Sequence, residues 1–394
     1  MSISRLLLAV SILSGVSWLV HRYVWARLVR DAGWPAPWPL VLTVALVCLA
    51  VNVSFALVGA RTIPRALNAP LAWVAFVWMG FLLYLFLLSA LGDLVHRIVA
   101  LVGWAPDPER RAFVLQLTAV VVASGAALIG VLGLANVARG FRVLRVRIPL
   151  AKLPKGASGY VIVQISDVHV GPTIGRTFVE RIVRETNAIR PDLVVITGDL
   201  VDGSVGELGL LVAPLRDLQA PDGVFFVTGN HEYYSGADEW IAHLRTLGVR
   251  VLRNERVDIR GLFDLAGVDD ASAHRMLAHH GQDVALALAG RDPSKPVVLL
   301  AHQPKALPHA LAGRVDLQLS GHVHGGQLVP FNWLARLDQP LIAGLYRIEE
   351  TWAYVSSGTG YWGPPMRIGS GAELTRLELV SEAQGIASET RSTT

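Results

Sequence analysis

The chain has 394 residues, 52% of them hydrophobic and only 17% charged, with a mean hydropathy of +0.45. A soluble globular chain carries about 25% charged residues, so part of this one belongs in lipid. Disorder, a collagen-like chain and a small disulfide scaffold are excluded by the same figures. Residues 1–158 hold 15 Lys and Arg against 4 Asp and Glu, net +11, whereas 159–380 hold 19 against 25, net −6. The basic character therefore belongs to the membrane-flanking half, and nucleic acid is not implied as a partner. The single cysteine, Cys48, lies in an apolar run and has no second thiol to pair with.

Four apolar runs come first, at 3–20, 40–60, 70–91 and 113–137. The last three carry no charge and reach the roughly 20 residues a helix needs to cross about 30 Å of hydrocarbon. The first is shorter and carries Arg5. Reading it as a signal peptide is disfavoured, because His21 and Arg22 precede any cleavage site. Four spans put both termini on one side. That side then holds nine Lys and Arg, including the cluster Arg139, Arg142, Arg145 and Arg147, against six on the other. The bias predicts a multi-pass protein of the cell membrane with a cytoplasmic C-terminal domain. The cluster itself suits anionic headgroups. We read 1–138 as the transmembrane region, 139–158 as a basic linker and 159–380 as the soluble domain. The Ser- and Thr-rich 381–394 reads as a disordered tail.

In the soluble half, short β-branched runs alternate with helical patterns. Runs at 160–165, 193–197, 224–228, 297–301 and 317–320 read as buried strands, and 352–356 and 374–380 as closing strands. Helices are expected over 177–189, 205–218 and 275–289. This alternation predicts an α/β domain. The apolar segment 328–348, with Phe331, Trp333, Leu334, Leu341 and Tyr346, reads as a core hairpin in preference to a lipid groove.

Each of the five buried strands ends in a metal-capable side chain. The order is Asp167-Val168-His169, Gly198-Asp199, Gly229-Asn230-His231-Glu232, His302, and Gly321-His322-Val323-His324. One such residue is usually a turn or cap. Five in order at strand ends, where α/β sheets place their ligand sites, form a pattern. Oxygen and nitrogen donors without thiolate suit Mn, Fe or Zn. Seven donors exceed one ion's ordinary coordination and fit two divalent ions sharing a carboxylate, an arrangement suited to phosphoryl displacement. His243, His274, His279, His280 and His309 read as solvated residues outside the site.

The ordered blocks, with the longer strings 165–169, 197–202, 321–327 and 360–367, resemble the calcineurin-like metallophosphoesterase superfamily and its membrane-associated YkuE/YaeI-like branch. The resemblance covers about 159–380 and says little about the spans. It implies a β-sandwich of two mixed sheets flanked by helices. One metal would be held by Asp167, His169, Asp199 and His324, the other by Asp199, Asn230, His302 and His322, with Asp199 bridging. His231 would face the substrate and protonate the leaving oxygen, with Glu232 either orienting it or serving as a turn residue. Arg367 is a weaker substrate-binding candidate. The implied function is a membrane-bound phosphoesterase that cleaves a phosphodiester, phosphomonoester or pyrophosphate with a water ionised by the metals. A lipid-linked substrate, such as the UDP-2,3-diacylglucosamine of lipid A synthesis, is one version of it. A non-catalytic membrane receptor or scaffold is the competing class, but a degenerate domain would be expected to lose ligands.

Overall fold

The computed structural model describes residues 3–63, 65–103 and 107–382. The chain forms two compact units, Met1–Gly140 with Trp362–Ile368, and Phe141–Tyr361 with Gly369–Thr394. Most of the tail expected to be disordered, from residue 383 onward, lies outside the described residues.

The first unit contains helices α1 (Ile3–Trp25), α2 (Trp38–Thr62), α3 (Arg65–Leu101) and α4 (Pro108–Ala138). Among the described residues, three stretches are long and apolar enough to cross a membrane: Trp38–Ala56, Leu67–Leu101 and Pro108–Ala138. The expected first span falls on α1, which is not among these three. Helix α4 starts where Asp107 accepts from the Arg110 N–H at 2.9 Å and Pro108 occupies the first helical position. Small residues let the helices approach. A Cβ on Gly125 of α4 would stand 3.2 Å from Leu88 Cδ1 of α3, and one on Gly130 would run into the Phe81 ring. Asn52, read as a packing residue, donates to the Leu71 carbonyl at 3.1 Å across α2 and α3.

A stretch distant in sequence completes this unit. In Trp362–Ile368, the Arg367 N–H donates to Gly133 O at 3.2 Å and Arg367 O accepts from Asn136 Nδ2 at 3.0 Å. A Cβ on Gly133 would stand 3.1 Å from both the Ile368 and the Met366 side chains.

The second unit is the expected α/β domain with two mixed sheets. It runs through β1 (Arg142–Leu150), β2 (Tyr160–Ile165), α5 (Arg176–Ile189), β3 (Leu193–Ile196), α6 (Val205–Val212), β4 (Val224–Phe226), α7 (Asn230–Ser235), α8 (Ala237–Thr246) and β5 (Arg250–Val251). There follow β6 (Glu255–Ile259), β7 (Phe263–Gly267), α9 (Val284–Ala287), β8 (Val297–Leu300), α10 (Leu307–Ala312), β9 (Leu317–Ser320), α11 (Phe331–Ala335), β10 (Gly344–Ile348), β11 (Thr351–Val355) and β12 (Glu373–Ser381).

One six-stranded sheet has the order β1-β12-β2-β3-β4-β5, with β2 to β5 parallel and β12 antiparallel to β2. The other has the order β10-β11-β9-β8-β7-β6, parallel from β11 to β7. Ile162, Leu193, Val195 and Phe225 of the first meet Leu265, Val298, Leu317 and Tyr354 of the second in one buried core. Burying both faces of each central strand explains why their sequences are continuous apolar runs.

Four elements differ from the sequence expectation. The basic linker expected at 139–158 contains β1, which pairs in parallel with β12 from Arg142↔Glu373 to Leu150↔Ser381. The alternation in Arg145-Val146-Arg147-Ile148 is that of an edge strand with one solvated face. The helix expected at 205–218 gives way after Val212 to a 3-10 turn, Ala213–Asp217, at Pro214, which has no N–H to continue it.

The helix expected at 275–289 shrinks to the four residues of α9. Side chains take its backbone partners: Asn254 Nδ2 donates to Gly281 O at 2.6 Å, and Asp269 Oδ2 accepts from the Gly281 N–H at 3.2 Å. Finally, 328–348 is only partly a hairpin. Strands β10 and β11 pair antiparallel, but Phe331, Trp333, Leu334 and Leu337 stand exposed on or beside α11, Trp333 at 67%.

Candidate metal centre

All five ligand-bearing segments leave the carboxyl ends of parallel strands, three in the first sheet and two in the second. Asp167 and His169 follow β2, Asp199 follows β3 and Asn230 opens α7 after β4. His302 follows β8, and His322 and His324 follow β9. The strands are short, so each chain must turn at once. Asp167, His169, Asp199, His322 and His324 all adopt positive φ, between 51° and 73°. Non-glycine residues pay about 1–3 kcal/mol each for that conformation, and it clusters at functional sites.

Two glycines make the approach possible. A Cβ on Gly321 would run into Ser166 Oγ and Asp167 Oδ2, and one on Gly229 would run into Asp199 Oδ1. These positions serve close packing against the carboxylates, with φ in the ordinary range. Of Gly198, Gly229 and Gly321, only Gly198 has positive φ, at 86°.

The side chains form two groups. In the first, His169 Nε2 and His324 Nε2 are 3.0 Å apart, and His324 Nε2 lies 3.5 Å from Asp167 Oδ1. In the second, His302 Nε2 lies 3.2 Å from Asp199 Oδ2, with His322 alongside. Asp199 Oδ2 is also 3.9 Å from His169 Nε2, so one carboxylate faces both groups. The donor atoms of each group lie within 4.8 Å of one another.

Outer contacts aim these donors. His302 Nδ1 donates to Thr197 O at 2.7 Å, which turns Nε2 inward toward Asp199. The Asp202 carboxylate does the same for His169, whose Nδ1 is 3.1 Å from Oδ1. Asp167 Oδ1 accepts from the His322 N–H at 2.8 Å, and Asp199 Oδ1 from the His231 N–H at 2.9 Å. Buried Asn230 Oδ1 and His322 Nδ1 have no hydrogen-bond partner among the described residues. Buried polar atoms are rarely left so, and an open amide oxygen and an open imidazole nitrogen at these strand ends fit divalent ions.

Electrostatics follow from this packing. Burial works to raise Asp199, but the neighbouring His302 and His231 outweigh it and hold the carboxyl well below its usual range. Burial, then the charge on His302, pushes His322 down to about 4, so its imidazole is a neutral donor. Burial would lower His231 as well, yet Asp199 and Asp202 raise it to about 9.

His231 lies beside the groups, with Nε2 4.0 Å from Asp199 Oδ2 and Nδ1 donating to Asp202 Oδ1 at 2.5 Å. Of the two readings weighed for Glu232, neither an orienting contact with His231 nor a simple turn describes it. It is fully buried and accepts from the N–H groups of Gly229, Asp199 and Leu200 at 2.7, 3.0 and 2.8 Å, fastening the ends of β3 and β4 together. Arg367 is buried in the helical unit, where its backbone bonds α4.

The sequence reading gave Asp202 no role, although it ends the string 197–202; its spacing three residues after Asp199 was the available signal. Asp270 and Gln303 were also missed. Gln303 Nε2 donates to both Asp270 oxygens, at 3.0 and 2.9 Å, and the Asp270 carboxylate acts on His302 and His322.

Comparison with known proteins matches residues 160–326 to the calcineurin-like phosphoesterase family. A transmembrane protein with metallophosphoesterase domain from Bos taurus is 41% identical over 69% of this chain, which spans 64% of that protein. The protein of the same description from Danio rerio is 38% identical over 77% of this chain and 71% of its own length. The metallophosphoesterase YkuE of Bacillus subtilis is 27% identical over 58% of this chain and 82% of its own.

Proposed function

Because the chain belongs to the calcineurin-like metallophosphoesterase family, we propose that it is a membrane-bound, binuclear metal-dependent hydrolase of phosphoester or phosphoanhydride bonds. The observation that carries this reading is the convergence of six carboxylate and imidazole donors from four strand ends, with Asp199 facing both groups. Asp167, His169, Asp199 and His324 would hold one ion, and Asp199, Asn230, His302 and His322 the other. Two divalent ions in such a site supply Lewis-acid stabilisation of phosphoryl oxygens and acidify water. His231 holds a proton on Nε2 for the leaving oxygen, and Asp202 keeps the ring oriented through Nδ1. Glu232 holds the Asp199 loop in its left-handed turn. A non-catalytic scaffold has no need for the cost of five positive-φ ligands.

The substrate we favour is amphiphilic. The turn that carries His324 is packed against α11, since a Cβ on Gly326 would collide with the Asn332 backbone. That helix presents Phe331, Trp333 and Leu334 to solvent, and an acyl chain would cover them. A lipid-linked pyrophosphate such as a lipid A precursor fits this surface. We place the domain on the cytoplasmic side of the cell membrane, since Arg61, Arg65 and the cluster 139–155 share its side.

Purified full-length protein in detergent, stripped with chelator, should regain hydrolysis of an aryl phosphodiester on adding Mn²⁺. No recovery with Mn²⁺, Fe²⁺ or Zn²⁺, on phosphodiester, monoester or pyrophosphate alike, would return the scaffold reading. For the substrate class, Trp333→Ser with Leu334→Ser should lower kcat/KM on a lipid phosphoester in mixed micelles. The value on a water-soluble ester should hold. An unchanged ratio removes the lipid argument.

A further inference from the structure

Outside the centre described above, a second cluster brings two imidazoles to one carboxylate. His279 Nε2 lies 3.2 Å from Asp238 Oδ2, and His280 Nε2 lies 3.0 Å from Asp238 Oδ1. All three ligating atoms fall within 4.8 Å of one another. Asp238 belongs to the first turn of α8, and the two histidines to the irregular segment before α9.

The two rings differ in a way that a solvated histidine pair would not. His279 is exposed, but the His280 side chain is fully buried, against the sequence expectation. The far nitrogen of His280, Nδ1, lies 3.0 Å from the Tyr233 hydroxyl and 3.7 Å from Asp269 Oδ2. Asp269 is in turn clamped by Arg253 through contacts of 2.9 and 2.7 Å. With Nδ1 turned to the Tyr233 hydroxyl, Nε2 is the ring nitrogen that faces Asp238. A hydrogen bond on the far nitrogen is the kind of outer contact that orients a metal-ligating imidazole.

We propose that Asp238, His279 and His280 form a third metal site, selective for Zn²⁺, that clips the segment before α9 onto α8. Two imidazoles and one carboxylate suit Zn²⁺, and the exposed side of the cluster leaves a fourth position to water. The site has a line of contact to the catalytic helix. Tyr233 of α7 touches His280 on one side and Thr228 Oγ1, at 3.2 Å, on the other, and α7 carries Asn230 and His231. The ion therefore steadies the helix from behind and takes no part in the chemistry.

The test uses untagged full-length protein in detergent, saturated with Zn²⁺, desalted and analysed for metal. Wild type should retain one more equivalent than His279→Ala and one more than Asp238→Asn. Both positions are exposed, so both variants keep the fold, and their Mn²⁺-dependent turnover should match wild type. Zn²⁺ should also raise the Tm of the wild type more than that of either variant. Equal zinc in all three proteins would overturn the site. So would loss of an equivalent in His309→Ala, an exposed histidine outside the cluster, because it would mean non-specific surface binding. All these proteins share the same catalytic ligands, so the zinc difference stands whether or not the phosphoesterase reading does.

Discussion

The two units use glycine for the same geometric purpose and protect different things with it. In the helical unit, Gly130 and Gly133 of α4 make room for the Phe81 ring and for Met366 and Ile368. In the α/β unit, Gly229 and Gly321 make room for the Asp199 and Asp167 carboxylates. An added methyl meets flexible apolar side chains in the first case and charged metal-ligand candidates on strained backbone in the second. Side chains that only pack can shift by a few tenths of an ångström at modest cost. Carboxylates fixed by backbone N–H groups and facing two metal positions have nowhere to go. The same substitution should therefore cost stability in one unit and chemistry in the other.

The largest effect should come from the carboxylate itself. Asp199→Asn should lower kcat/KM by about 10³-fold or more, at the upper end for a major electrostatic stabiliser, and should reduce metal content at both positions. Normal metal content with normal activity would remove Asp199 from the centre. His231→Ala should keep its metals and lose about 10²-fold or more on alkyl esters, the scale of general acid catalysis. Aryl esters with acidic leaving groups should lose less. An equal loss on both classes would make His231 a phosphate-binding residue.

Asp202→Asn acts through the rings of His169 and His231, so about 10- to 100-fold is expected, with part of the loss seen as weaker metal affinity. A loss confined to Tm would make its role structural only. Gly321→Ala and Gly133→Ala then test the comparison directly. Overpacking costs about 1–3 kcal/mol. If that falls on the Asp167 carboxylate, turnover of Gly321→Ala drops about 5- to 150-fold at 1.36 kcal/mol per decade. Gly133→Ala should leave turnover of a soluble ester within about twofold and lower Tm by a few degrees at about 2–4 °C per kcal/mol. A reversed pattern would mean that the helical packing, and not the carboxylate clearance, governs the chemistry.

The separation of the units also bears on fragments. Strand β1 hydrogen-bonds β12 along its whole length, so a soluble phosphoesterase fragment has to begin before Arg142. One starting at residue 151 exposes the edge of β12 and should aggregate, as size-exclusion chromatography would show.

What the sequence determined by itself was whatever local pattern and composition encode. Charge-free apolar runs specify helices α2 to α4, and β-branched runs specify the five strands that carry the ligands. The order of Asp, Asn and His at their ends was readable, because each motif lies within a few consecutive residues. The contacts that the sequence reading missed join residues far apart in the chain. Asp202 meets His169 and His231 because β2, β3 and β4 are adjacent in one sheet, and their adjacency depends on strand pairing across about 30 residues each time.

The expected helix at 275–289 failed because Asn254 and Asp269, brought in by neighbouring strands, took its backbone partners. Likewise, the apolar residues of α11 face solvent and His280 is buried, reversing the local reading in both places. Periodicity records what a segment prefers alone. Which side chains end up covered depends on which distant surfaces arrive to cover them, and only the tertiary structure decides that.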